Sequence, residues 1–367
     1  MVQHCCLTAA VCFIIMLLAF LGNGLPSFSR ESSVVYLITV SDCLSPLENI
    51  VTKRIFITGA SGCIGHYLVE TLLTDTPHHL FLLVRNPAKL MFKWQGEPRI
   101  QIIQDDIRNI DVYGDLLKTM DTAILAATSW GGAPEIYDIN VVSNHKLMSL
   151  LNTDRCEQVL YFSTASILNQ HNQPLPEAGS IGTDYIRSKY QCYLKLPELM
   201  IFPKITTVFP TLVFGGDKDK PYSHISAGIQ EVVKWMGIIR FLSAEGSFHF
   251  IHGKDIALVV SYLINHPPAL EASRQIVIGN PSLTVDQVIE QLSHYLGLRI
   301  FFRIPLSLWL ADRIIDWFNI RMDEWDRFCL RYRHSVYKHP IHPSNLGLKP
   351  YCPTVADLMQ LSGVMPG

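Results

Sequence analysis

The chain reads as an α/β protein with a doubly wound parallel sheet, followed by a smaller α+β lobe. Three observations predict this. Short apolar runs alternate with helical patterns from Arg54 to about Phe214. The first run ends in a glycine cluster that opens a helix. The 367 residues, 49% hydrophobic and 17% charged, are enough to bury a large core. Strands separated by helices imply parallel neighbours, because each crossover returns the chain to the same edge of the sheet.

The elements follow in order. Residues 54–58 form a short apolar run of the kind a strand buried on both faces shows. Ile64, Leu68, Leu72 and Leu73 then recur at about one-turn spacing, as the inner stripe of a helix does. Residues 79–84 predict a second strand, 99–104 a third and 122–127 a fourth. A helix is expected over 136–151, a fifth strand over 158–163, and another helix from about Asp184. Past Phe214-Gly215-Gly216 the alternation weakens, and Lys218, Lys220, Pro221 and Tyr222 mark a loop. Longer helical stretches follow, such as 306–318 with its tryptophans. The expected organisation is an N-terminal hydrophobic segment (1–50), the doubly wound domain (51–215) and a smaller lobe (216–367) interleaved with it.

Composition excludes several classes. A net charge of -2 gives no basic footprint for nucleic acid. The nine cysteines are odd in number and scattered, which suits free thiols better than a disulfide framework. No HExxH or CxxC pair is present, and the prolines of His339-Pro340-Ile341-His342-Pro343 argue for a rigid loop, so no metal site is expected.

The apolar run at 5–22 carries no charge, and the first basic residue is Arg30. It is near the lower length limit for a membrane span. A cleaved signal peptide, a signal anchor that leaves the main domain in the cytoplasm, and a segment outside the working protein all stay open. A cytoplasmic location is expected, with membrane contact only if 5–22 is an anchor.

Thr58-Gly59-Ala60-Ser61-Gly62-Cys63-Ile64-Gly65 places glycines at a spacing that phosphate chemistry uses. The first glycine makes a tight turn, the second lets backbone amides approach a pyrophosphate, and the third lets helix pack on strand. The helix N-terminus supplies partial positive charge. The spacing alone is weak among 22 glycines; the strand before it and the helix after it make it specific. The missing Gly-Lys-[Ser/Thr] excludes a Walker-type loop. About twenty residues after the last glycine, where an acidic residue would select NAD, the chain has Arg85, with Asn86 and Lys89 nearby. A guanidinium there suits a 2′-phosphate, so NADP(H) is the expected cofactor; an ordinary solvated arginine is the bland alternative.

Tyr185-Ile186-Arg187-Ser188-Lys189 puts a phenol and an ammonium one helical turn apart. The ammonium is expected to lower the phenol's pKa and ready it for proton transfer. Hydroxyls in Ser163-Thr164-Ala165-Ser166, at the end of the fifth strand, are candidates to hold a substrate oxygen. A lone Tyr-x-x-x-Lys is common by chance; the order of glycine loop, hydroxyl-tipped strand and Tyr/Lys helix gives it weight.

From about Lys53 onward the chain resembles the extended short-chain dehydrogenase/reductase family, often called NAD-dependent epimerase/dehydratase, with a Rossmann fold. Residues 58–65 resemble its cofactor loop, with Cys63 where an aromatic is usual. Asp105-Asp106-Ile107 resembles the acidic end of the third strand, which implies adenine contact by Asp106. Ala126-Ala127 and Asn140-Val141 resemble the segment after the fourth strand and the helix asparagine. The resemblance implies cofactor contacts from Gly59, Ser61, Gly62, Cys63, Ile64, Gly65, Asp106, Ile107, Ala126, Ala127 and Asn140, beside Arg85, read from its spacing, and Lys189, which is expected to bond the nicotinamide ribose. It implies a catalytic set of Thr164, Tyr185 and Lys189. Phe209-Pro210-Thr211-Leu212-Val213-Phe214-Gly215 resembles the family's R-P-x-x-V-Y-G stretch, and 248–252 with Asp255 its F-I-H-V-x-D segment. Where sugar-nucleotide 4,6-dehydratases place Asp-Glu after the threonine, this chain has Ala165 and Ser166, which speaks against that elimination. Arg321, Arg327, Arg331 and Arg333 could hold a diphosphate, or form a solvated helix face.

The function expected is hydride transfer between NADP(H) and a carbonyl or alcohol on a small molecule, as a reductase or epimerase. A non-catalytic NAD(P)-binding sensor or assembly protein is the alternative. A homodimer stays open.

Overall fold

A computed structural model describes residues 51–267, 274–317 and 322–367. The apolar run at 5–22, with the anchor reading that depends on it, and Arg321 lie outside the described residues. Among those described, no helix is long and apolar enough to cross a membrane.

Seven parallel strands form the central sheet: β1 (Arg54–Thr58), β2 (His79–Val84), β3 (Ile100–Gln104), β4 (Thr122–Leu125), β5 (Gln158–Phe162), β6 (Ile205–Pro210) and β7 (Arg274–Ile278). Their spatial order is β7-β6-β5-β4-β1-β2-β3, and every pairing is parallel. This is the doubly wound α/β fold expected. The chain runs outward from β1 to β3, then crosses to β4 on the other side of β1. That reversal opens a crevice at the carboxyl ends of β1 and β4, where ligands of such sheets bind.

The strands alternate with the period of two that pleating imposes. Ile55, Ile57, Leu80, Leu82 and Val84 face one hydrophobic core, against helices α1 (Cys63–Asp75) and α3 (Gly253–Asn265), which supply Leu68, Leu72, Ile256 and Val260. Phe56, Phe81, Leu83 and Leu125 face a second core, with Leu147, Met148 and, past helix α2 (Asp184–Lys195), Leu196. Both faces are covered, which is why the strands read as unbroken apolar runs.

Some boundaries differ from the sequence reading. The fourth strand stops at Leu125, because the Ala126 and Ala127 amides turn aside to Thr58, on its carbonyl and hydroxyl oxygens at 3.2 Å each. The helix expected at 136–151 already begins at Ala133 and runs through a π-helical segment, Asp138–Ser143, to Leu150. Strand β7 was not anticipated, since only its last three residues are buried and its apolar run is short. The helix expected at 306–318 spans Leu308–Trp317; Leu306 precedes it because its amide bonds the Ser243 carbonyl, and residue 318 is outside the described set.

A further apolar cluster gathers Phe214, Ile229, Met236, Phe250, Val288, Leu292 and Leu358. It encloses a cavity of about 30 Å³ with an apolar lining.

Candidate active site

The site assembles at the crevice between β1 and β4. Gly59 leaves β1 with φ of +80°, and a Cβ there would lie 2.5 Å from the Ala126 carbonyl carbon. A Cβ on Gly65 would come within 2.1 Å of the Gly59 oxygen. Both positions therefore demand glycine. The Gly62 amide closes the turn on the Gly59 oxygen at 3.0 Å. Gly62 caps α1 and is exposed, while Ser61, Cys63 and Ile64 are half-buried beside it. No acidic side chain occupies the first turn of α1, so its amides and dipole are left for an anion. Burial pushes the Cys63 thiol up to about 12, which leaves it unreactive at neutral pH. His66 fixes the helix start: Nδ1 donates to the Gly62 carbonyl at 2.9 Å, and Nε2 accepts from the Met91 amide at 3.1 Å.

Arg85 and Asp106 stand at the tips of β2 and β3. Arg108 grips the Asp106 carboxylate with two bonds of 2.9 and 2.8 Å and holds it below the usual carboxylate range. Arg85 is 60% exposed and lies 3.4 Å from Glu135 and 4.0 Å from Asp106. Ile107 points into the core rather than the crevice.

Asn140 lies in the π-helical segment, fully buried. Its Oδ1 accepts from the Ser129 amide at 2.9 Å and the Thr128 hydroxyl at 3.1 Å. Its Nδ2 donates to the Ser188 hydroxyl at 3.0 Å, and that hydroxyl donates to the Tyr185 carbonyl at 2.7 Å. One amide thus couples the loop after β4 to α2. A π-bulge at such a place is a common way to aim a polar side chain sideways.

Thr183 caps α2 through the Ile186 amide and sets where Tyr185 and Lys189 stand on the helix. Lys189 is buried, and its ammonium donates to the Phe162 carbonyl at 2.8 Å. Two residues on, Thr164 caps the turn Ala165–Ile167, which packs against α2. Its hydroxyl bonds the Ser166 hydroxyl at 3.3 Å and accepts from the Ser166 amide at 3.3 Å. The neighbouring Ser163 Oγ is buried without a partner. The fold thus brings the tip of β5, the Tyr/Lys helix and the glycine loop to one edge of the sheet.

The electrostatics correct one expectation. The ammonium does not lower the tyrosine's pKa here: burial pushes the phenol above its ordinary value and brings Lys189 down to about 8. Lys189 Nζ is aimed at the Phe162 carbonyl and lies 6.0 Å from the Tyr185 ring centre. Desolvation penalises the charged form of each group and outweighs their mutual attraction.

Two neighbours escaped the sequence reading. Trp130 stacks on Tyr185, with ring centres 3.9 Å apart and planes 20° from parallel. His224, on the loop after Gly216, meets Trp130 edge-on at 4.9 Å. An aromatic just beyond the fourth strand, before Gly131-Gly132, was the only available signal.

The residues fit a dinucleotide. The cradle excludes a Cβ at Gly59 and Gly65, α1 leaves its first turn free of acid, and an orphaned hydroxyl sits at the tip of β5. Among the described residues, no group of His, Cys, Asp or Glu is arranged to hold a metal ion.

Comparison with known proteins agrees with this geometry. The NAD dependent epimerase/dehydratase family matches residues 55–279. The chain belongs to that family. Family membership makes it an enzyme of the nicotinamide-dependent epimerase/dehydratase class. Among solved structures, dTDP-glucose 4,6-dehydratase from Bacillus anthracis with NAD superposes with a TM-score of 0.57 at 13% identity, over 85% of this chain and 96% of that one. UDP-glucose 4-epimerase from Thermotoga maritima gives 0.54 at 14% identity, over 84% and 97%. A double mutant of the dTDP-glucose 4,6-dehydratase DesIV from Streptomyces venezuelae gives 0.56 at 17%, over 84% and 95%. At these identities the likeness is one of fold. No curated protein matches the chain in sequence.

Proposed function

We propose that this family member is an oxidoreductase that moves a hydride between NADP(H) and the carbonyl or alcohol of a small molecule. The reading is supported by Lys189 bonding the carbonyl of Phe162 at the end of β5 and by the Thr164 turn packing against α2, the helix that also carries Tyr185. A bound nicotinamide supplies or accepts the hydride at its C4. In this reading Tyr185 gives a proton to the carbonyl oxygen, or takes one from the alcohol, and the Thr164 hydroxyl orients that oxygen. Lys189 stands behind the tyrosine and reaches the nicotinamide ribose. Its depressed pKa lets it change protonation near neutral pH, when a charged neighbour arrives.

Ala165 and Ser166 supply neither the acid nor the base of an elimination, which favours simple reduction or epimerisation over dehydration. Arg85 is the basis for NADP(H): a 2′-phosphate would replace Glu135 as the guanidinium's partner.

Tyr185→Phe tests the reaction and Arg85→Ala the cofactor. Tyr185→Phe is expected to bind NADPH normally and to lose turnover by about 10²- to 10⁴-fold. Retained NADPH binding with no wild-type turnover on carbonyls or sugar nucleotides would instead support a cofactor-binding sensor. Arg85→Ala is expected to weaken NADPH and leave NADH unchanged; tighter binding of NADH by the wild type would reverse the cofactor assignment.

A further inference from the structure

We infer that the smaller lobe carries a peripheral docking surface for a membrane that contains anionic lipid. The inference does not depend on the reaction proposed above, since none of its residues belongs to the catalytic or cofactor set.

The surface is a patch of large apolar side chains that folding leaves in water. Trp235, Ile238, Phe301, Phe302, Trp309 and Trp317 are all more than half exposed, and Trp309 and Trp317 reach 66% and 87%. Single exposed apolar residues are ordinary, whereas a continuous patch marks a contact surface. The backbone makes this one continuous. Trp235 and Ile238 stand one turn apart near the end of the helix Ile229–Ile239. The Phe241 amide bonds the Ile238 carbonyl at 3.0 Å, and the Phe241 carbonyl accepts from the Ile304 amide at 2.7 Å. Ile304–Pro305 then pairs with Leu242–Ser243. Phe302 stacks on Phe241 with ring centres 4.7 Å apart and planes 11° from parallel. The helix Leu308–Trp317 follows, and its Trp309, Arg313 and Trp317 recur at the spacing that shares one face.

The inner faces of the same elements are already used. Val232, Met236, Ile239 and Leu306 are buried in the core of this lobe, and Leu308 and Leu310 pack against it. The outer aromatic layer is therefore not part of that core.

The chemistry of the patch fits a lipid interface. Three of the chain's six tryptophans stand in it, and tryptophan is the side chain that the headgroup level of a bilayer favours. Cations flank the rings. The Arg240 guanidinium lies 4.5 Å from the Phe241 ring centre and bonds the Gly237 carbonyl at 3.2 Å rather than a carboxylate. Arg313 lies 5.7 Å from the Trp309 ring centre, and Arg299 is exposed just before Phe301. Exposed Asp312 offsets part of this charge. Arginine stems along aromatic surface, with their heads at its rim, can meet lipid phosphates while the rings enter the acyl boundary. A second copy docking through the same patch would instead bring these cations against their own counterparts.

The test measures co-sedimentation of the full chain with vesicles of phosphatidylcholine alone or mixed with phosphatidylglycerol. Because the apolar run at 5–22 belongs to the same chain, every comparison is between full chains that differ only in the patch. Wild type is expected to bind the mixed vesicles, and more weakly as salt rises. Trp309→Ser with Trp317→Ser should weaken binding about 10-fold or more while NADPH affinity and Tm stay unchanged. Arg240→Gln and Arg299→Gln should each cost about 5-fold on the mixed vesicles and nothing on phosphatidylcholine. Replacing Trp235, Trp309 and Trp317 together by Phe keeps the apolar surface. That protein should still bind, but lose most of the fluorescence quenching that brominated phosphatidylcholine causes in wild type. Equal vesicle binding by wild type and the serine variant overturns the inference, as does quenching that survives the three Phe replacements. Self-association that the serine substitutions abolish, with no vesicle binding by wild type, overturns it in favour of a second copy.

Discussion

Lys189 donates its buried ammonium to the Phe162 carbonyl at 2.8 Å, tying α2 to the last residue of β5. The bond holds the Tyr/Lys helix against the sheet edge, and it gives the lysine one neutral acceptor in place of a counter-ion.

That arrangement has a signature in the pH dependence of stability. Folded Lys189 loses its proton at about 8, whereas the unfolded chain holds it to the ordinary value of 10.5. Between those values the unfolded state binds more protons, so the lysine's contribution rises with pH and is lost as pH falls through 8. The gap in stability between wild type and Lys189→Met is expected to move in favour of wild type by a few kcal/mol from pH 7.5 to 10.5. Urea midpoints at a series of pH values measure it, and a gap independent of pH would show that the lysine titrates normally.

The three loop glycines are expected to fail in different ways. Gly59→Ala and Gly65→Ala place a Cβ 2.5 and 2.1 Å from backbone atoms. Each is expected to destabilise by about 2 kcal/mol or more and to lose NADPH binding. Gly62 has only the Gly59 oxygen, at 3.4 Å, near its Cβ position. Gly62→Ala should therefore keep the wild-type Tm and weaken NADPH, as the methyl crowds the approach to the first-turn amides. Equal losses of Tm in all three would contradict the assignment of Gly62 to cofactor approach.

Asn140 is the most connected polar group near the site. Asn140→Ala strips partners from the Ser129 amide and the Ser188 hydroxyl, both buried. A loss of about 2–4 kcal/mol in unfolding free energy is expected. Asn140→Asp keeps the acceptor and removes the donor, so it should fall between the two. Chemical denaturation of the three proteins decides the ranking.

Thr164 and Ser166 share a hydrogen bond but are assigned different roles. Thr164→Val is expected to lower kcat/KM by about 10²-fold with little change in NADPH affinity, and Thr164→Ser to recover most of it. Ser166→Ala should leave both nearly unchanged. A larger loss in Ser166→Ala than in Thr164→Val would exchange the two assignments.

The glycine loop, the strand and helix alternation, and the spacing of Tyr185 and Lys189 were legible in the sequence because each depends on local rules, whereas only the family resemblance singled out Thr164 among the hydroxyls after β5. A buried parallel strand must be apolar on both faces, and a tight turn against a neighbouring backbone excludes a side chain. Residues one helical turn apart share a face. The order of these pieces determined the family and the sheet. Strand β7 was hidden because its pairing with β6 is long-range and its outer two residues are exposed.

What the tertiary structure alone decided is where charge and aromatic surface end up. Spacing places Lys189 beside Tyr185 along the helix. Only packing turns its ammonium to the Phe162 carbonyl, burying the lysine and half-burying the phenol, so that desolvation sets their pKa values. Likewise, nothing in the sequence brings Trp130 and His224 together with Tyr185. They come from loops after different strands, and it is the sheet's carboxyl edge, shared by all of them, that makes them neighbours.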